Sequence, residues 1–183
     1  MITTDASSER LLWLDLEMTG LAAGNDVIVE VAAIVTDWDF NEIAYFESGV
    51  GHPAERVQAL LDANPWYSYK MKENKAAMIT LSAQSSPSKV VEQQLIEFVK
   101  KHCDTHRPVL LAGNSIHIDR QFIHAEWPFF EQLLHYRMLD VTAWKLVFEA
   151  KYGAKGEKRE EHRALGDVRE SIAELKQYLE RVS

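Results

Sequence analysis

Two carboxylates interrupt an otherwise apolar run near the start of the chain, Leu11-Leu12-Trp13-Leu14-Asp15-Leu16-Glu17. A run of this length and composition reads as a strand buried on both faces of a sheet. Side chains alternate along a strand, so Asp15 and Glu17 project on the same side. Two like charges in a low-dielectric setting repel by several kcal/mol unless one takes up a proton or a cation intervenes. A hard cation such as Mg2+ resolves the conflict, because it prefers oxygen ligands and keeps positions open for water and phosphate. The plainer alternative is that both side chains sit where the strand end meets solvent, and a lone Asp-x-Glu favours it.

Two further segments carry acids in comparable settings. Val109-Leu110-Leu111-Ala112 is a short apolar strand, and Gly113-Asn114-Ser115 reads as a turn before a helix capped by Ser115. Asp119 then lies in that helix's first turns, near the carboxyl end of a strand, where ligands of open α/β sheets gather. Taken singly, it is an ordinary acid at a helix start. In His162-Arg163-Ala164-Leu165-Gly166-Asp167, Asp167 lies on an early turn of a helix whose apolar stripe is Leu165, Val168, Ile172, Leu175, Leu179 and Val182. His162 falls in the preceding loop.

Length and composition fit one compact domain over residues 11–183, preceded by a flexible polar leader at 1–10. The leader lacks the apolar core of a secretory signal, and no apolar stretch is long enough to cross a membrane. Cys103 is the only cysteine, which excludes an intrachain disulfide and points to a reducing compartment. The expected location is the cytoplasm, or the mitochondrion if a leader was removed. His102 and His106 beside Cys103 are weak grounds for structural zinc, with three donors and no fourth. The formal net charge of -8, from 28 acidic and 20 basic residues, argues against an extended footprint on a long nucleic acid.

The coarse order begins with three strands, at 11–17, 27–38 and 43–50, with turns at 22–26 and 39–41. A mostly helical stretch follows from 53 to 102. Next come the strand at 109–112, helices near 116–125 and 128–135, and a short strand at 137–139. A helix capped by Asp140 then turns Val141, Trp144 and Phe148 inward. This order suits an α/β fold with a mixed central sheet flanked by helices.

The succession Asp15-x-Glu17, Asp119, His162 and Asp167 resembles the DEDDh exonucleases, 3′-to-5′ nucleases with an RNase H-like fold. Four local sequences are similar to the oligoribonuclease family within it: Trp13 to Leu21, Ala112 to Ser115, His135 to Val141, and His162 to Leu165. The likeness runs from about Leu11 to Tyr178. It implies that Asp15, Glu17, Asp119 and Asp167 hold two Mg2+ or Mn2+ ions, roughly 4 Å apart, with His162 as general base toward the attacking water. It also implies a short single-stranded RNA substrate cut to mononucleotides, and a homodimer formed through the segment bearing Tyr136.

The resemblance assigns binding residues too. Leu21 corresponds to a leucine wedged against a substrate base, Arg137 to an arginine on a substrate phosphate, and Tyr136 to a tyrosine reaching the partner subunit's site. Asn114, Ser115 and Trp66 fall among the expected substrate contacts, and Thr142 stands where the family has a phosphate-binding serine. One region departs from the family. Where it carries His-x-x-Ser-Gly-Leu, this chain reads Glu73-Asn74-Lys75-Ala76-Ala77-Met78. The histidine closing off a dinucleotide is therefore absent, which puts strict dinucleotide preference in question. Lys70, Lys72 or Lys75 could supply charge there, and Trp66, Tyr67 or Tyr69 either a stacking surface or core packing. Two other readings stay open: a broader DEDDh exonuclease acting on DNA or longer RNA, and an inactive RNase H-like interaction module.

Overall fold

The computed structural model describes residues 10–69, 72–153 and 163–181. Three antiparallel strands come first: β1 (Leu11–Met18), β2 (Ile28–Thr36) and β3 (Glu42–Gly49). The helices α1 (Ala54–Ala63), α2 (Pro65–Tyr69), α3 (Lys72–Gln84) and α4 (Ser88–His102) follow. Then come β4 (Val109–Gly113), α5 (His117–Glu126), α6 (Pro128–Glu131), β5 (Leu134–Asp140), α7 (Val141–Tyr152) and α8 (Ala164–Glu180). The sheet runs β3-β2-β1-β4-β5, with β4 parallel to both β1 and β5. It is the mixed sheet flanked by helices that the RNase H-like resemblance implies.

Strand parity decides what faces what. Leu12, Leu14 and Leu16 of β1 pack with Val91, Leu95 and Val99 of α4 and with Phe122 and Ile123 of α5. Leu11 and Trp13 take the opposite face, against Phe148 of α7 and Val168, Ile172 and Leu175 of α8. Asp15 and Glu17 share the parity of Leu11 and Trp13, so they belong to the α8 face at the carboxyl end of the central strand. Glu30 has the same parity as Ala32 and Ile34 on β2 and is the register partner of Glu17.

Glu92 shows how the helices are fixed to one another. It is 5% exposed on α4 and accepts hydrogen bonds from the Phe129 and Phe130 N–H groups at 2.9 and 3.0 Å, satisfying free donors at the start of α6. Arg10, which begins the described chain, donates to the His102 carbonyl; the rest of the expected leader lies outside the described residues.

Several expectations need correction. The helix expected over 128–135 spans only Pro128–Glu131, and the strand after it starts at Leu134 instead of 137. As the edge strand of the sheet, β5 exposes His135 to Leu139 to varying degrees, so it carries no apolar run to announce it. Ser115 is not a helix cap. Its φ of 49° lies in the left-handed region, α5 opens after Ile116, and the Ser115 hydroxyl turns to Thr142 Oγ1 at 3.1 Å. Trp144 is 38% exposed at the rim, stacked on Phe148, while Val141 and Phe148 are buried as expected.

Candidate active site

Asp15 and Glu17 from β1 meet Asp167 from the first turn of α8, each offering a carboxylate oxygen within 4.8 Å of the others. The parity of β1 aims the pair at α8, and Asp167 stands one residue before Val168, which anchors that helix on Trp13's face. Asp119 arrives from the other side of the sheet. It is 5% exposed in the first turn of α5, and its Oδ1 accepts the Leu16 N–H at 2.9 Å, between the two β1 acids. Asp119 stands outside the 4.8 Å set, yet its charge acts on both Asp15 and Glu17.

These acids repel one another in a desolvated corner. Burial, then the charges of Asp119, Glu17, Asp167 and Glu30, push the Asp15 carboxyl well above the usual range. Glu17 is raised to about 8, by burial first and by Asp167, Glu30 and Asp119 after it, with Arg163 opposing. Burial raises Asp119 as well, against the Leu16 hydrogen bond that favours its charged form. Clustered oxygen donors of this kind fit a hard divalent cation, whose charge would offset the repulsion. Nothing in the set favours a soft metal.

A second carboxylate pairing borders the cluster. Glu30, 4% exposed, accepts from Arg163 Nε and Nη2 at 3.2 and 3.1 Å, and Arg163 also reaches Glu47 at 3.5 Å. Arg163 directly follows His162, which lies outside the described residues. The pairing had a signal in the sequence, since Glu30 interrupts the apolar run from Val27 to Val35 much as Asp15 and Glu17 interrupt theirs.

The loop after β1 presents Leu21, 73% exposed. Asp26 closes this loop by accepting from Thr19 Oγ1 at 3.0 Å and the Ala22 N–H at 2.9 Å. A Cβ on Gly20 would fall 2.5 Å from the Asp26 carboxylate, so the closure needs glycine there. Tyr67 OH donates to the Met18 carbonyl at 2.6 Å, and Asn64 Nδ2 donates to the Thr19 carbonyl at 3.0 Å. Tyr67 is thus buried core, while Trp66, beside it on α2, is half exposed on the same tethered element. Lys75 is paired with Asp62. Lys70 lies outside the described residues, as do the side chains of Tyr69, Lys72 and Glu73.

On the far side of the carboxylates, the turn after β4 is a dense polar network. The Ser115 N–H donates to Asp140 Oδ1 at 3.0 Å and Thr142 Oγ1 at 2.9 Å, and Asp140 caps α7 through the Thr142 N–H. Asn114 Nδ2 donates to Ser171 Oγ at 2.9 Å and Glu174 Oε2 at 3.1 Å, both on α8. Tyr136 and Arg137 stand on the edge strand, Tyr136 72% exposed with the Arg137 guanidinium 5.1 Å above its ring.

A family model described as an exonuclease (RNase_T) matches residues 12–175. The oligoribonuclease of Francisella tularensis subsp. novicida (strain U112) is 40% identical over 179 residues, which cover 96% of this chain and 97% of that protein. The oligoribonuclease of Corynebacterium glutamicum (strain R) is 39% identical over 177 residues, covering 94% of this chain and 80% of that one. Among solved structures, exonuclease I from Methylocaldum szegediense is similar with a TM-score of 0.65 at 15% identity, covering 94% of this chain and 40% of that one. The zinc-bound E. coli ExoI–ssDNA complex gives 0.64 at 14%, covering 95% and 41%. This chain therefore spans about two fifths of those exonuclease I chains, and at such identity the likeness concerns the fold.

Proposed function

Because the chain belongs to the exonuclease family, and within it to the oligoribonucleases, we propose that it hydrolyses short RNA from the 3′ end to 5′-mononucleotides at the Asp15, Glu17 and Asp167 cluster. It is a hydrolase, a 3′-to-5′ exoribonuclease. The observation that carries the site is the convergence of three carboxylates within 4.8 Å, from two elements far apart in sequence. Asp15, Glu17, Asp119 and Asp167 would hold two Mg2+ or Mn2+ ions. Such ions supply Lewis-acid charge for the phosphoryl group and the leaving 3′ oxygen, and ease deprotonation of the attacking water. His162 would take that proton as general base, the role the family resemblance gives it and one that suits imidazole side chains near neutral pH.

The remaining residues bind and orient. Leu21, on the loop that Asp26 closes and Tyr67 tethers, and Trp66, on α2, offer apolar and aromatic surface to bases. Arg137 supplies paired donors for a phosphate, and the mutually bonded Ser115 and Thr142 hydroxyls are further phosphate donors. Phosphoryl transfer needs mainly positioning and charge neutralisation, so no covalent nucleophile is required.

The test is a length series. With Mg2+ or Mn2+ and labelled RNAs of two to twenty nucleotides, mononucleotide release is expected to be fastest from the shortest. A flat or rising profile points to the broader exonuclease, and no turnover with either metal to an inactive module.

The chain is proposed to act as a homodimer through the edge strand β5. Among the described residues that strand has no neighbour on one side, and Phe129 and Tyr136 are exposed near and on it at 67 and 72%. Light scattering is expected to give twice the 20.9 kDa of one chain, with Tyr136→Ala shifting the mass toward one. A monomer at micromolar concentration would refute the assignment.

A further inference from the structure

Asn114 has a carboxamide with little left to give a substrate. Its two N–H donors go to Ser171 Oγ at 2.9 Å and Glu174 Oε2 at 3.1 Å, and its Oδ1 faces the Thr142 hydroxyl at 3.4 Å. Ser171 is 4% exposed, and its hydroxyl donates a hydrogen bond to the Asp167 carbonyl at 3.0 Å. Glu174 is held from its other side by Tyr178 OH at 2.6 Å and Lys145 Nζ at 3.6 Å. The chain of bonds therefore starts at the end of β4, crosses to α8, and ends on the backbone of the residue that bears a cluster carboxylate. Ser115, the next residue, ties the same turn to Asp140 and Thr142.

We propose that Asn114 is a positioning residue: with Ser171 it locks the first turns of α8 onto the end of β4, so that Asp167 stands in register with Asp15 and Glu17. It does not itself contact the substrate phosphate. This rests on the nuclease reading above and reassigns one side chain within it. Second-sphere hydrogen bonds of this sort orient ligands, and their loss commonly weakens metal binding by about 10- to 100-fold.

The experiment uses Asn114→Ala, Ser171→Ala and the double variant in the full chain. Calorimetric titration with Mn2+ alone is expected to show about tenfold weaker binding for Asn114→Ala, with the same direction for Ser171→Ala. The double variant should be no worse than Asn114→Ala, since the two residues act through one path. On a 5′-phosphorylated dinucleotide, kcat should fall about tenfold while KM stays within about twofold. Unchanged Mn2+ affinity with a raised KM would overturn the proposal and make Asn114 a substrate ligand; additive losses would break the shared path. Should Asn114→Ala fail to fold, Ser171→Ala alone decides, by the same Mn2+ titration. A wild type inert on RNA would refute the nuclease reading, while the Mn2+ titration would still judge the positioning role.

Discussion

Asp15→Asn is expected to cut kcat on a dinucleotide by about 10^3-fold or more while raising the melting temperature of the metal-free protein. Both effects come from one cause. Asp15 is flanked by Asp119, Glu17, Asp167 and Glu30, all acting against its ionisation on top of burial. An amide of the same shape removes the repulsion and leaves packing intact, so the folded state without metal gains. It also removes one of the four charged residues proposed to hold the ions, and amide oxygen is a much weaker ligand for a hard cation than carboxylate. Strain held at a site and released by mutation is a common signature of function. Turnover on labelled RNA and thermal melts in EDTA measure the two halves. A variant that keeps a tenth of its activity would remove Asp15 from the cluster's work, and one that loses both activity and stability would make its role one of packing.

The central strand was readable in advance because its chemistry is unusual for its place. Acids two apart in a buried run share a face, and the stripe beginning beside Asp167 buries that helix's apolar side, but that the two meet was implied by the resemblance to the DEDDh exonucleases and not by either pattern alone. Strand order up to β4 followed from apolar runs and turn residues. What escaped depends on partners far along the chain. Glu30 reads as a lone acid until Arg163, 133 residues later, comes to rest against it. Asn114 reads as a turn residue, and nothing local says that its amide faces α8. β5 exposes most of its side chains, and so mimics the end of a helix. Trp144 obeys helical spacing but lies at the rim, where α7 runs out of core to cover it. Periodicity reports which face is apolar, and contact order hides which element will cover it.

The metal-free protein is expected to lose stability as pH rises from about 5 to about 8.5, by about 5–10 °C in melting temperature, and to recover it with saturating Mn2+ or Mg2+. In the unfolded chain a glutamate titrates near 4.3. In the fold Glu17 is raised to about 8, and Asp15 and Asp119 are raised as well. Between those limits the folded state binds more protons than the unfolded one, so stability has a negative slope with pH. It is fully present below the unfolded value and is lost as pH passes the folded one. His52 opposes this modestly: burial lowers its pKa, so it favours the fold as pH climbs through its own range. One half-buried imidazole does not offset several clustered acids. Divalent cations bind the ionised form, so with metal the slope should flatten or reverse. The double variant Asp15→Asn/Glu17→Gln should shrink the slope in EDTA to the part that burial of Asp119 contributes, and largely remove the rescue by metal. A flat melt profile in EDTA for the wild-type protein would mean that the acids relax apart without a cation, and the cluster would then be assembled by the metal instead of waiting for it.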